Sequence, residues 1–218
     1  INKSNKNKLL TETKNKESNY RKILEEKLKL KDATEKELFN YESQLKYELD
    51  PTKIPPAGSG VLKWPLNSIY ITQKFGVTAD SRRLYVSGSH NGVDFRASIG
   101  TEIFSAGEGI IEGTGDTDTT CPGASFGRWI LIKYDNGLAT TYGHLSLVKV
   151  SIGNRVTTGQ LVGYSGDTGY STGPHLHVSV YPKDAVNVIT RPSVACLGKA
   201  YTLPVAAINA YLDPLLYF

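Results

Sequence analysis

Methionine is missing from all 218 residues, and no apolar run is long enough to cross a bilayer or to serve as the core of a signal peptide. A chain that opens on INKSNKNK is therefore expected to be a processed or truncated product, with any export signal or membrane anchor lying upstream. Cysteine is nearly missing too. Cys121 follows the polar run GDTDTT and Cys196 sits in PSVACLGK, so one internal bridge between two loop-like segments is open to them. Such a bridge implies an oxidising compartment and contributes at most roughly 4 kcal/mol by loop closure. The alternative is a pair of unlinked, partly buried thiols.

Charge of one sign is not in large excess. The formal net charge is +4, and many of the lysines lie in the first fifty residues, where acids are nearly as common. That pattern excludes a dedicated nucleic-acid surface and leaves only a mild attraction to anionic polymers or membrane surfaces. A hydrophobic content of 39% excludes disorder throughout and supports one domain with an appendage or two small ones.

Glycine and proline are absent from about residue 5 to residue 50, a stretch dense in Lys and Glu with sparse apolar positions. It reads as helix. Counting sevens from Leu10 reaches Leu24, Leu38 and Leu45 but also Glu17 and Lys31, so the seam of a coiled coil is interrupted. Residues 1–50 are expected to be a helical arm, either a coiled coil or hairpin that docks on a partner or a solvated spacer.

DPTKIPPAGSG then stops the helix with three prolines and two glycines, which marks 51–62 as a linker. Beyond it, short β-branched and aromatic runs such as GVDFRA, TEIFSA, GIIEGT, RWILIKY and HLHVSV alternate with glycine turns. Residues 63–218 are expected to form a mostly β domain of antiparallel sheet. No segment between Leu62 and Val194 has helical periodicity, while LPVAAINAYLD near the end suits a short terminal helix.

Histidine is the most informative scarcity, since all four copies fall in this β domain. His175 and His177, in STGPHLHVSV, are two apart on a strand, which puts both on one face roughly 7 Å apart, with Leu176 in the opposite layer. Gly173 and Pro174 suit the entry to that strand. His90 and Asp94, in SHNGVDF, are also separated by an even number, and Gly92, Val93 and Phe95 favour an extended segment. An imidazole and a carboxylate on one side suit Zn²⁺, which at catalytic sites takes three protein ligands and leaves one position for water. His175 or His177 can supply the third, and spacing does not decide between them. His144 stands in TTYGHLS.

HNGVDF, YGHL and GDTGYSTGPHLHVSV, in this order from about Val61 to Tyr181, resemble the lysostaphin-type (LytM-type) zinc endopeptidases of bacterial peptidoglycan. The resemblance implies an antiparallel fold of the duplicated-hybrid-motif type. It also implies that His90, Asp94 and His177 bind Zn²⁺, that His144 and His175 stand beside the open coordination position, and that Tyr85 serves as a transition-state stabiliser. It departs from many relatives after the second histidine of the last motif, where they carry Phe and Glu and this chain runs VSVY. The implied activity is hydrolysis of cross-link or stem peptides of peptidoglycan by a metal-activated water, outside the cytoplasm in the cell envelope, periplasm or medium. The arm is then a site for a protein partner or a cover that occludes the cleft. Two rival readings are a non-catalytic module of the same fold that activates another wall hydrolase, and a phosphocarrier with paired histidines, which leaves Asp94 without a role.

Overall fold

With nothing in its first turns to stop it, the arm forms one continuous helix, α1, over Lys3–Glu42. The computed structural model describes residues 3–218, with side chains from Leu10 onward. At 40 residues α1 is about 60 Å long. Its two halves differ in surroundings. Leu10, Tyr20, Ile23, Leu24 and Leu28 are exposed, whereas Leu30, Leu38 and Tyr41 pack against the β domain. The heptad positions Lys31 and Leu38 are thus spent on the chain's own domain, Lys31 through a 2.7 Å bond to the Ser171 carbonyl. Glu37 adds a half-buried cluster, accepting from Arg191 at 3.1 Å and from the Ser193 hydroxyl at 2.8 Å.

The strands are β1 (Ile71–Gln73), β2 (Val93–Arg96), β3 (Glu102–Phe104), β4 (Gly109–Asp116), β5 (Arg128–Tyr134), β6 (Leu138–Gly143), β7 (Leu145–Val148), β8 (Arg155–Val156), β9 (Leu161–Ser165), β10 (His175–Pro182), β11 (Val186–Pro192) and β12 (Ala200–Ala206). The main sheet has seven strands in the order β1-β2-β10-β6-β5-β4-β8, with every pair antiparallel. β3, β9 and β7 form a second sheet, and β11 and β12 a hairpin.

Alternation along the strands decides which layer each residue enters. In β5, Ile130 and Ile132 join the main core with Phe95, Ile103 and Val162, while Trp129 and Leu131 join a second cluster with Phe126 and Tyr181. Both faces of this strand are buried, which explains why RWILIKY reads as a continuous apolar run. β10 obeys the same rule. Leu176, Val178 and Val180 enter the main core, so His175, His177 and Ser179 share the opposite face.

Cys121 and Cys196 are bridged across 75 residues, with Cα atoms 5.7 Å apart. The bridge lies within the cluster on which Leu30, Leu38 and Tyr41 of α1 rest.

Two expectations need correction. LPVAAINAYLD does not form a terminal helix: Leu203–Ala206 belongs to β12, and only Ile208–Ala210 makes a single 3₁₀ turn. Pro204 cannot donate inside a helix, and the hairpin register Val188↔Pro204 lets Leu203 and Val205 bury themselves beside the disulfide. A short helix, α2 (Ala79–Leu84), stands where no helical periodicity was legible. At six residues it is too short to show a period, and a reciprocal capping box between Thr78 and Ser81 starts it.

Candidate metal centre

Neighbouring strands bring the ligand candidates together. His90 is bridged to Gly76 just before β2, and Asp94 lies within β2 directly opposite His177 of β10. Gly92 makes the approach feasible, because a Cβ there would stand 2.6 Å from the His177 ring and 2.5 Å from the Val178 carbonyl oxygen. All three side chains are buried. His177 Nδ1 is 2.9 Å and His90 Nε2 3.3 Å from Asp94 Oδ1, and the two nitrogens are 3.1 Å apart.

The Lys74 carbonyl, 3.1 Å from His90 Nδ1, can only accept, so Nδ1 carries the hydrogen and Nε2 presents a lone pair inward. On the far side of His177, the Ser179 hydroxyl 2.8 Å from Nε2 can accept its hydrogen, and in that tautomer Nδ1 presents a lone pair to the centre. Two imidazole nitrogens and a carboxylate oxygen then converge without enough protons to satisfy one another. A tetrahedral Zn²⁺ with bonds of about 2.0–2.1 Å sets its ligand atoms about 3.3 Å apart, close to the three separations found. The residues therefore fit a divalent cation. Thiolate ligands are excluded at this spot, since both cysteines are in the bridge.

The field of the cluster agrees. Burial pushes the Asp94 carboxyl up, yet the His177 and His90 side chains beside it outweigh burial and hold the group well below the ordinary range. Burial pushes His177 down, against the pull of Asp94. An ionised Asp94 beside a neutral His177 suits metal ligation.

His144 and His175 flank the cluster. His144 follows β6 with a left-handed backbone, φ +63°, which turns its side chain off the strand's regular course. Its Nδ1 donates to the Thr168 carbonyl at 2.7 Å, and His175 Nδ1 donates to the Gly173 carbonyl at 2.7 Å. Both Nε2 atoms are thereby left as acceptors. The two rings lie 4.6 Å apart, and His175 Nε2 is 3.6 Å from Asp94 Oδ1. Burial and the neighbouring imidazoles keep His144 neutral, well below the usual histidine range.

Tyr85, the C-cap of α2, stacks its ring parallel to His90 at 5.3 Å. Burial and the nearby Asp94 charge keep its phenol protonated. It lines a cavity of about 140 Å³ together with His90, His144 and His177, and α1 supplies part of the wall through Leu38, Phe39 and Glu42. Glu35 of α1 fastens the adjacent loop by accepting the Val86 N–H at 2.9 Å.

The residues expected from the sequence all meet here, and Tyr85 lies beside them. Sequence reasoning missed Ser179, although its i+2 relation to His177 on β10 was available as a signal. It also missed the carbonyls of Lys74, Gly173 and Thr168, for which a sequence carries no mark because every residue has one.

Comparisons with known proteins agree with this geometry. Residues 88–188 match the model of peptidase family M23. Peptidoglycan DD-endopeptidase ShyA of Vibrio cholerae is 37% identical over 119 residues, 53% of this chain and 24% of that protein. Glycyl-glycine endopeptidase ALE-1 of Staphylococcus capitis is 42% identical over 90 residues, 41% of this chain and 24% of that protein. The chain thus spans about a quarter of the length of these curated relatives. The catalytic domain of the antimicrobial peptidase lysostaphin from Staphylococcus simulans shares the fold with a TM-score of 0.51 at 28% identity, over 68% of this chain and 91% of that one. Residues 88–188, which carry the buried His90, Asp94 and His177, accordingly match peptidase family M23, and the β domain shares its fold with the lysostaphin catalytic domain.

Proposed function

We propose that this chain is a zinc-dependent endopeptidase that cuts peptide bonds in bacterial peptidoglycan. The observation that carries the reading is the convergence of His90 Nε2, Asp94 Oδ1 and His177 Nδ1, flanked by two histidines whose Nε2 atoms are free to accept protons. His90, Asp94 and His177 would hold the cation. When bound, Zn²⁺ supplies Lewis acidity toward a carbonyl and toward water.

The chain's own residues handle the protons. His144 and His175 each begin with an unprotonated Nε2, so either can take the proton of the attacking water and later release it to the departing amine. Tyr85 keeps its phenolic hydrogen and is the proposed donor to the developing oxyanion. Ser179 orients His177, and the Lys74 carbonyl orients His90.

The named activities of ShyA and ALE-1 support peptidoglycan as the substrate class, with a stem or bridge peptide as the strand that enters the cleft. The disulfide supports an extracytoplasmic location. The exposed half of α1 is proposed to engage a protein partner. Zinc analysis of purified protein, joined to mass spectrometry of muropeptides released from sacculi, tests the reading. Stoichiometric zinc with new peptide termini is expected, and zinc-loaded protein that leaves sacculi intact overturns it in favour of an activator module.

A further inference from the structure

One peptide group connects a carboxylate to His144. The carbonyl of the Thr168–Gly169 peptide accepts from His144 Nδ1 at 2.7 Å, and the N–H of the same peptide donates to Asp118 Oδ2 at 2.8 Å. The other oxygen of Asp118 accepts the Gly123 N–H at 2.6 Å. Asp118 lies in the 3₁₀ turn Thr117–Thr119, well outside the metal cluster, and is half-buried.

We propose that Asp118 is a positioning residue for the reaction, acting on His144 through this single peptide. The proposal rests on the reading of His144 as a proton carrier given above. Two physical effects follow from the geometry. A carboxylate that accepts the amide hydrogen polarises the amide and strengthens its carbonyl as an acceptor, by about 10–30% per linked bond. That anchors the Nδ1 hydrogen of His144 and leaves electron density at Nε2. The second effect is orientational. Gly169 has φ +70°, and a peptide preceding a glycine is comparatively free to rotate. If it turned over, an N–H would face His144 Nδ1 and the tautomer with an unprotonated Nε2 would lose its support. Asp118 holds the carbonyl toward the imidazole.

The surrounding structure is built for this contact. A Cβ on Gly127 would stand 2.3 Å from Gly169 N, so the two loops meet backbone to backbone. Thr168 locks the approach further, its hydroxyl accepting from the Arg128 N–H at 2.9 Å and donating to the Leu145 carbonyl at 3.1 Å. The arrangement resembles in logic the carboxylate that orients a catalytic histidine directly, with an amide inserted between the two.

The test is Asp118→Asn in the full chain loaded with zinc. The side chain keeps its shape, but its amide can accept from only one of the two N–H groups, Gly123 or Gly169, and its NH₂ confronts the other. The expected result is a fall in kcat of about 10- to 100-fold with KM and zinc stoichiometry unchanged, smaller than the loss expected on removing the histidine itself. The independent readout is the ¹⁵N-detected ring resonance of His144, whose Nδ1 hydrogen is expected to move upfield and exchange faster with solvent. Asp118→Glu, which retains the charge, is expected to recover part of both signals and serves if Asp118→Asn folds poorly. A His144 resonance that is unmoved in Asp118→Asn and also in Asp118→Ala, where no side-chain oxygen remains to accept the Gly169 N–H, overturns the proposal whatever happens to turnover, and so does a loss of activity that merely tracks loss of zinc. A shifted resonance with normal kcat supports the link from Asp118 and instead removes His144 from the chemistry.

Discussion

Asp94 and His177 are directly opposed residues of two antiparallel strands, and their contact atoms, Oδ1 and Nδ1, lie 2.9 Å apart with both side chains buried. A ladder position thus fixes two of the three donors before any cation arrives. Replacing His90, Asp94 or His177 with alanine is expected to remove bound zinc and activity together, measured by elemental analysis and peptide release. A metal-replete Asp94→Ala protein contradicts the assignment.

The flanking histidines are expected to separate from this set. His144→Ala and His175→Ala should retain zinc while lowering kcat by about 10²–10⁴-fold. The check is turnover normalised to metal content, and loss of zinc from either variant places that residue among the ligands instead.

Ser179 is expected to matter through affinity rather than turnover. Its hydroxyl holds the outer nitrogen of His177 at 2.8 Å, and ligand-orienting contacts of this kind are worth about 10–100-fold in metal binding. Competition of Ser179→Ala against a chelating dye measures this. An unchanged affinity shows that strand register alone orients the ring.

The docking of α1 is expected to weaken as pH rises. Glu42, buried against the Tyr211 hydroxyl at 2.7 Å, is pushed up to about 7 by burial, with Tyr211, the Ala206 N–H and Arg191 opposing. The unfolded chain releases this proton near 4.5 while the folded one keeps it until about 7. The folded state therefore binds more protons between those values, and its stability falls across the window by about 3 kcal/mol. Glu42→Gln should flatten the profile, matching the natural chain near pH 4.5 and exceeding it at pH 8. Urea midpoints at several pH values test the sign.

Removal of the bridge by Cys121→Ser with Cys196→Ser is expected to cost about 2–4 kcal/mol, read as a shift in the urea midpoint. The same change loosens the surface under Leu30, Leu38 and Tyr41. Faster amide exchange in the second half of α1 is therefore expected as well, and unaltered protection there separates the helix from the bridge.

Much of the site was legible because the relevant periodicity is local. His90 and Asp94 fall on one side of an extended segment, and His175 and His177 on one face of β10, for reasons that need only the pleat of a strand. Choosing between His175 and His177 needed the partner strand. His177 faces Asp94 in the register, whereas His175 faces Arg96. The disulfide followed from having two cysteines in loops. What stayed hidden came from distant backbone: Thr168, Gly173 and Lys74 act through carbonyl groups, and Asp118 acts through an amide 51 residues away. The end of the chain misled because LPVAAINAYLD is apolar at helical spacing, while the strand that receives it, β11, is only available once the hairpin closes.

Helix α1 runs without a break from exposed apolar residues at Tyr20 and Leu24 to Phe39 and Glu42 beside the cavity. A stiff rod fastened at one end and open at the other is a lever. Force applied at its far end would reach the mouth of the cleft through Phe39 and Glu42 without any contact to a histidine.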